Sequence, residues 1–443
     1  MTKPNETKPL AVPFEARQDG DAQFRWSWTE HSVWTERMLT ALEQGVKGNC
    51  WFSLIDKVYS EKNLRAAFAK VADNEGAPGV DHVTVKQFEN DVDQRVGCLS
   101  EELRTGKFRP QAIRRVNIPK PGSRETRPLG IPTIRDRVVQ GAVRHAIEPI
   151  FEREFAEHSY GFRPRRGCKD ALYRVDHLLK EGFVYVVDVD LKSYFDTIPH
   201  DRLMSLVRER IADNKVLSLI ESFLQAGIMD GLREWTPTAG APQGAVLSPL
   251  LSNIYLNPLD HLMAREGFEM IRYADDLVIL CRTEEEACRA LARVQQWTTD
   301  AGLTLHPTKT RLVDAQIEGF DFLGYHFRGS LRLPRKKSGK KFKDAIRDKT
   351  KRTNGHSLAT TIADVNRTLR GWFVYFQHSH HSVFRELDSW IRRRLRSILR
   401  KRLGLRGPSR GRDHQRWPNQ FFATHGLYSL EAAHAKACQS SRR

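Results

Sequence analysis

The sequence predicts an α+β fold followed by a basic, all-helical C-terminal region, on three observations. Short β-branched runs, FVYVVDVDL (183–191), IRYADDLVIL (271–280) and FDFLGYHF (320–327), lie among helical patterns without strict strand-helix-strand alternation, which favours α+β over a doubly wound parallel sheet. The stretch 357–403 carries apolar residues at helical spacing throughout. Charge is segregated: residues 331–412 hold 24 Lys and Arg against 5 Asp and Glu, enough to supply the whole net charge of +18.

In chain order, residues 1–33 are polar, contain proline and read as a flexible N-terminal arm. Between Trp34 and Ala72 the pairs Met38/Leu42, Leu54/Val58 and Leu64/Phe68 predict two or three helices. GAPGVD (76–81) is a turn, a helix covers Phe88–Leu103, and RRVNIPKPGSRETRPLGIP (114–132) is a β-hairpin about a Pro-Gly-Ser turn. Helices follow over Arg135–Phe155 and Lys169–Leu179, from His200 and from Lys215. After a loop at 236–245 come two more, Ser248–Met263 and Glu284–Ala301.

In 357–403, Ile362, Val365, Leu369, Phe373 and Phe376 form one stripe, and Leu387, Ile391, Leu395, Ile398 and Leu399 another. The second helix carries RRRLR and RKR on its other faces, so the bundle has a phosphate-facing surface. Trp372, Phe373, Tyr375 and Phe376, at helical spacing, read as core rather than as base-stacking rings.

Composition narrows the function. A net charge of +18 and a pI near 9.7 call for a polyanionic partner. No segment has the roughly 18 apolar residues of a membrane span, and MTKPNETKPLAVPFEARQ lacks the apolar core of a signal peptide, so nucleic acid is favoured over an acidic membrane. The six cysteines never form C-x-x-C, which suggests neither a zinc site nor a disulfide framework and fits a reducing cytoplasm.

Asp275 and Asp276 interrupt an apolar strand pattern, at a cost in burial and like-charge repulsion. A bare Asp-Asp pair reads first as a polar turn. A second acidic strand, DVDLKSYFD (188–196), changes that reading: if the two strands pair, Asp190 meets Asp275 and Asp276 across the sheet. A divalent cation relieves such crowding, and Mg²⁺ binds through one or two carboxylates while keeping water and substrate phosphate as its other ligands.

Y-x-D-D in a strand-turn-strand, preceded by D-[LIV]-K-x-x-F-D and by the G-x-P-Q-G loop GAPQG (240–244), resembles the palm of reverse transcriptases. GAPGVD, RPLGIP, SYGFRPRRG (159–167), APQGAVLSPLLSNIYL, GLTLHPTKT (302–310), FLGY and LRGWFVYF (369–376) resemble successive blocks of the group II intron reverse transcriptase/maturase family, over about 34–430. The resemblance is to the bacterial type without an endonuclease. It implies a right-hand polymerase: fingers and palm at 34–330, with an antiparallel palm sheet and an N-terminal extension at about 34–105. A helical thumb or X domain at 331–430 and a tail at 431–443 follow.

Residue by residue, the resemblance implies Asp190, Asp275 and Asp276 as catalytic carboxylates for two Mg²⁺ ions, Asp276 either binding metal directly or supporting Asp275, with Mn²⁺ able to substitute and the Leu191 carbonyl as a further ligand. Phe195 would lie under the incoming sugar and exclude a 2′-hydroxyl. Lys120 and Arg127 would clamp the triphosphate, Gln243 would contact the nascent pair, and Lys309 would serve as proton donor to pyrophosphate. Gly240, Pro242, Gly244, Arg163, Arg392, Arg393, Arg396 and Lys401 would contact template, primer or intron RNA.

The expected function is an RNA-directed DNA polymerase that also binds its intron RNA as a splicing cofactor, with dNTPs, RNA template and primer, intron RNA and target DNA as partners. The expected location is the bacterial cytoplasm, with nucleoid association. Only Cys438 lies beyond the thumb pattern, where endonuclease-bearing members carry paired cysteines and histidines. Priming from an existing 3′ end is therefore expected. Two other readings stand beside this one: an RNA-binding maturase without catalysis, and a reverse transcriptase adopted by its host for repair or phage defence.

Overall fold

In the computed structural model, which describes residues 25–46, 50–119, 126–405, 407 and 411–440, the 114–132 hairpin forms as β1 (Ile113–Pro119) and β2 (Thr126–Ile131), antiparallel from Arg114↔Ile131 to Pro119↔Thr126. The second acidic strand is β3 (Tyr185–Asp190). Two strands of three residues each, β4 (Ile228–Asp230) and β5 (Arg233–Trp235), extend the hairpin to a sheet of order β2-β1-β4-β5. The β1–β4 pairing is parallel, which the long excursion through β3 between the two strands allows.

IRYADDLVIL divides as predicted into β6 (Glu269–Tyr273) and β7 (Asp276–Cys281). With β8 (Arg311–Asp314) they complete an antiparallel sheet of order β6-β7-β3-β8. Strand period 2 sorts its side chains. Val187, Val189, Leu277 and Ile279 enter the larger core, with the helices Ile134–Glu152 and Ser248–Arg265. Val186, Val278 and Leu280 face a second core, built with the helix Cys168–Lys180. Asp190 and Asp276 share this second parity, at the open end of the sheet.

FDFLGYHF is not one strand. Leu323 and Gly324, both at positive φ, turn it into β9 (Phe320–Phe322) and β10 (Tyr325–Arg328), and β11 (Leu331–Pro334) adds a third strand. A domain boundary at 331 therefore falls inside a sheet. The helical region begins with Lys336–Lys349, and Leu358–Phe376 and His381–Arg402 follow as two helices whose predicted stripes are buried together. Its join to the β9–β10 turn is tight: Tyr375 donates its hydroxyl to Leu323 O (2.6 Å), Tyr325 donates to Tyr375 O (2.7 Å), and Gly324 O accepts from Arg335 N (3.0 Å) and Ser338 Oγ (3.2 Å).

Both predicted ends are revised. Residues 25–33 are not a free arm: Trp26 and Val33 are buried and Trp26 Nε1 donates to Glu43. Leu430–Ser440 is a helix docked on the bundle rather than a tail, its first turn held by Asp388, which accepts from the Leu430 and Glu431 amides. The helix expected at Phe88–Leu103 is split at Asp91 into Val85–Asn90 and Val92–Arg104. No described helix is long and apolar enough to cross a membrane.

Asp136, one of the buried polar groups of the larger core, accepts from Gln111 N at 3.0 Å, and burial pushes its carboxyl up to about 6. A raised carboxyl favours the folded state while protonated, so this contribution is complete below the unfolded value of 3.8 and lost as pH rises through about 6. Asp136→Asn keeps the oxygen acceptor without the charge. At pH 8 it should exceed wild type in unfolding free energy by about 2–3 kcal/mol, and the gain should vanish near pH 4. Urea denaturation at the two pH values measures both.

Candidate active site

Asp190 and Asp276 are directly opposed in the β3–β7 register, and Ala274 and Asp275 form the two-residue turn between β6 and β7. Ala274 sits at φ 58°, a left-handed conformation that costs an alanine about 1 kcal/mol. Burial raises the Asp275 carboxyl above its ordinary range, and Asp190 adds to the shift. The outer edge of Asp276 is exposed, yet the surrounding protein removes enough of its water that, with Asp275 and then Asp190 nearby, its carboxyl is pushed up to about 6. Arg335 pulls it partly back.

The expected three-aspartate ligand set is not closed. Among the described residues no three His, Cys, Asp or Glu side chains converge on one point, and Asp190 Oδ2 instead pairs with Lys309 Nζ at 2.9 Å. A pair of mutually repelling carboxylates with a neighbouring backbone carbonyl at Leu191 nevertheless fits Mg²⁺, which takes hard oxygen donors and few protein ligands. The nitrogen and sulfur donors typical of zinc sites are absent from this donor set.

Two cavities hold the predicted site residues, the first on the carboxylate strands and the second against the β2-β1-β4-β5 sheet. One, of ≈ 390 Å³, is lined by Asp188, Asp190, Asp276, Lys309, Arg311 and Arg335 among others. The other, of ≈ 440 Å³, brings Phe195, Gly240, Pro242 and Gln243 together with Arg115 and Gly130. The GAPQG loop is fastened on both sides, with Ala241 N donating to Phe195 O (2.7 Å) and Gly130 N to Gln243 O (2.6 Å). A Cβ at Gly240 would lie 2.9 Å from Phe195 O, and one at Gly244 2.5 Å from Gly130 O, so the close approach needs glycine at both.

Other predicted residues stand elsewhere. Lys120 lies outside the described residues. Arg127 is exposed on β2 opposite Ile118 and does not line the Phe195 cavity; Arg115, which the sequence reading passed over, does. Arg163 is no free RNA ligand: it is buried, pairs with Glu152 and donates to the Ala156 and Ser159 carbonyls. Arg396 is likewise buried, donating to Trp417 O and Asn419 Oδ1. Arg392 is mostly covered and 3.9 Å from Asp388, whereas Arg393 and Lys401 are exposed.

Residues 118–327 match the family model "Reverse transcriptase (RNA-dependent DNA polymerase)", and 339–417 match "Group II intron, maturase-specific domain". The Protein YkfC of Escherichia coli is 34% identical, over 59% of this chain and 77% of YkfC. The group II intron-encoded protein LtrA of Lactococcus lactis is 40% identical over 38% of this chain and 28% of LtrA. The putative COX1/OXI3 intron 1 protein of Saccharomyces cerevisiae is 29% identical over 52% and 34%. The match thus spans about a third or less of those two intron-encoded relatives. With a reverse transcriptase domain followed by a maturase-specific domain, the chain belongs to the group II intron reverse transcriptase/maturase family.

Proposed function

We propose that the protein extends a primer 3′-hydroxyl with dNTPs on an RNA template and binds group II intron RNA as a splicing cofactor. The observation that carries the polymerase reading is the register that sets Asp190 against Asp276 with Asp275 in the adjoining turn. The reading takes the β6-β7-β3-β8 sheet as the palm, the β2-β1-β4-β5 sheet as part of the fingers and the helices from Lys336 onward as the thumb. Two Mg²⁺ ions at Asp190, Asp275, Asp276 and the Leu191 carbonyl would lower the pKa of the primer hydroxyl and neutralise the leaving pyrophosphate.

The chain's own residues do the rest. Phe195, on the wall of the Phe195–Gln243 cavity, would reject a 2′-hydroxyl, and Arg115, which lines the same cavity, would meet a triphosphate there. Arg127 belongs to the same hairpin; the role read for Lys120 falls outside the described residues. Lys309 holds Asp190 by an ion pair and lines the cavity of Asp190 and Asp276, where it would meet a metal-bound phosphate. Target DNA is a further proposed partner.

Primer extension on poly(rA)/oligo(dT) with dTTP and Mg²⁺ tests the polymerase. Absence of incorporation by folded protein overturns it. Sequencing the RNA that copurifies tests the intron partner, since a host-adopted enzyme would carry no intron RNA.

The exposed thumb cations give a separate expectation. Arg393→Glu with Lys401→Glu should weaken RNA binding at low salt and flatten the dependence of log affinity on log salt by about one unit per residue. Arg396→Ala should lower the melting temperature, because it strips a buried hydrogen-bonding group from Trp417 and Asn419. Filter binding across a salt series and thermal melting separate the two effects.

A further inference from the structure

Arg272 precedes the Tyr-Ala-Asp-Asp turn by one residue and is wholly buried. It shares strand parity with Met270, whose side chain enters the larger apolar core. A cation there is not explained by stability, since a buried ion pair replaced by apolar residues is often as stable or more so. The value of arginine at such a site lies in the rigid fork of its guanidinium, which fixes several partners at once.

Those partners converge on the turn. Nε donates to Asp260 Oδ1 at 2.8 Å and Nη2 to Asp260 Oδ2 at 2.5 Å. Nη1 donates to Asn253 Oδ1 at 2.8 Å and to Ala274 O at 2.9 Å, the carbonyl that leads into Asp275. Asn253 and Asp260 are seven residues apart on the helix Ser248–Arg265, two turns along one face, so a single fork spans both. Asn253 Nδ2 in turn donates to Gly161 O at 2.8 Å. Gly161 lies against the turn backbone, where an added Cβ would stand 2.1 Å from Ala274 N. The Arg272 main chain closes the ring, its carbonyl accepting from Tyr160 N at 2.9 Å and its amide donating to His158 O at 3.0 Å.

We propose that Arg272, fixed by Asp260 and Asn253, is a positioning residue for polymerisation: it holds the left-handed Ala274 so that Asp275 is presented beside Asp190 and Asp276 as a metal-binding carboxylate. The proposal rests on the reading of this turn as the polymerase centre. Asp275 lies in a two-residue turn at the end of two strands, outside the strand ladder. The fork, the helix face and the Gly161 contact supply that support from beneath. Groups that orient metal ligands in this way commonly change metal affinity or activity by about 10- to 100-fold when altered.

The test uses the full chain with Arg272→Lys and Asn253→Ala. The lysine keeps a charge opposite Asp260 and loses the fork; the alanine leaves the Arg272–Asp260 pair intact and cuts the tie to Gly161. Mn²⁺ binding without nucleic acid, followed by electron paramagnetic resonance, should weaken by about tenfold in each. The primer-extension rate should fall by about 10- to 100-fold with the KM for dTTP little changed, and should recover in part as metal is raised. Melting of Asn253→Ala checks that it is folded. If Arg272→Lys does not fold, Asn253→Ala decides alone, and wild-type metal binding and extension in that folded variant overturn the proposal. If wild type binds Mn²⁺ but extends no primer, the polymerase reading fails, while the comparison of metal affinities still decides the role of Arg272.

Discussion

Replacing Asp275 by alanine should reduce dTTP incorporation on poly(rA)/oligo(dT) by on the order of a thousandfold or more, while leaving the melting temperature unchanged or raised. The two effects have one origin. Asp275 raises the carboxyl of Asp276 and is itself raised by burial and by Asp190, so the three carboxylates crowd one another in the protein alone. Removing one relieves repulsion in the fold and, under the proposed function, removes a ligand from the reaction. A variant with near wild-type incorporation would remove Asp275 from the mechanism. A variant that loses activity only because it melts would be recognised by the melting curve.

The second large effect should come from a residue with no reactive group. At Gly161 a methyl group would lie 2.1 Å from Ala274 N, 2.8 Å from Tyr273 C and 3.0 Å from Ala274 Cα. These are backbone atoms, so Gly161→Ala cannot be accommodated by a side-chain rotation, and the turn must move by about an ångström. A displacement of that size at a reacting centre costs about a hundredfold in rate, with overpacking adding about 1–3 kcal/mol of destabilisation. Single-turnover primer extension and thermal melting on the same preparation measure the two losses. A rate within a few-fold of wild type would show that the turn has room to spare.

Much of the carboxylate site is legible in the sequence because its spacing is local. Two acidic interruptions in β-branched runs predict paired strands, and the Asp190↔Asp276 register follows from that pairing. The stripes of the C-terminal helices are legible from their periodicity, whereas the contact of Phe195 with the GAPQG loop is seen only in the fold. What escapes has physical reasons. Three-residue strands such as β4, β5 and β9 are too short to show an alternation, and Gly324 breaks a run that otherwise reads as continuous strand. Lys336–Lys349 buries only Phe342 and Ile346, too few apolar positions for a stripe.

Charge is the least legible quantity. Arg163 and Arg396 look like phosphate ligands in a sequence because composition reports a cation and says nothing of its depth. In the fold each is buried with acceptors of its own. Arg272 shows the converse: an arginine inside a strand, one residue before the turn, is the one signal that marks it, and only the fold reveals Asp260 and Asn253 around it. Arg115 was similarly hidden, in a hairpin where Lys120 and Arg127 drew attention by motif.

The reciprocal hydroxyls of Tyr325 and Tyr375 have a mechanical meaning. Each tyrosine donates to backbone on the other side of the joint, and Arg335 N and Ser338 Oγ fasten the adjacent carbonyl of Gly324. Four tethers on one short turn make the joint a clamp and not a pivot. Tension on the helical region, such as a nucleic-acid strand drawn across it would exert, is delivered to Leu323 and Gly324, and Leu323 shares a cavity wall with Asp190 and Asp276. The joint is thus a load path that ends beside the carboxylates, so under the proposed function grip on the strand and geometry at the 3′ end would be strained together.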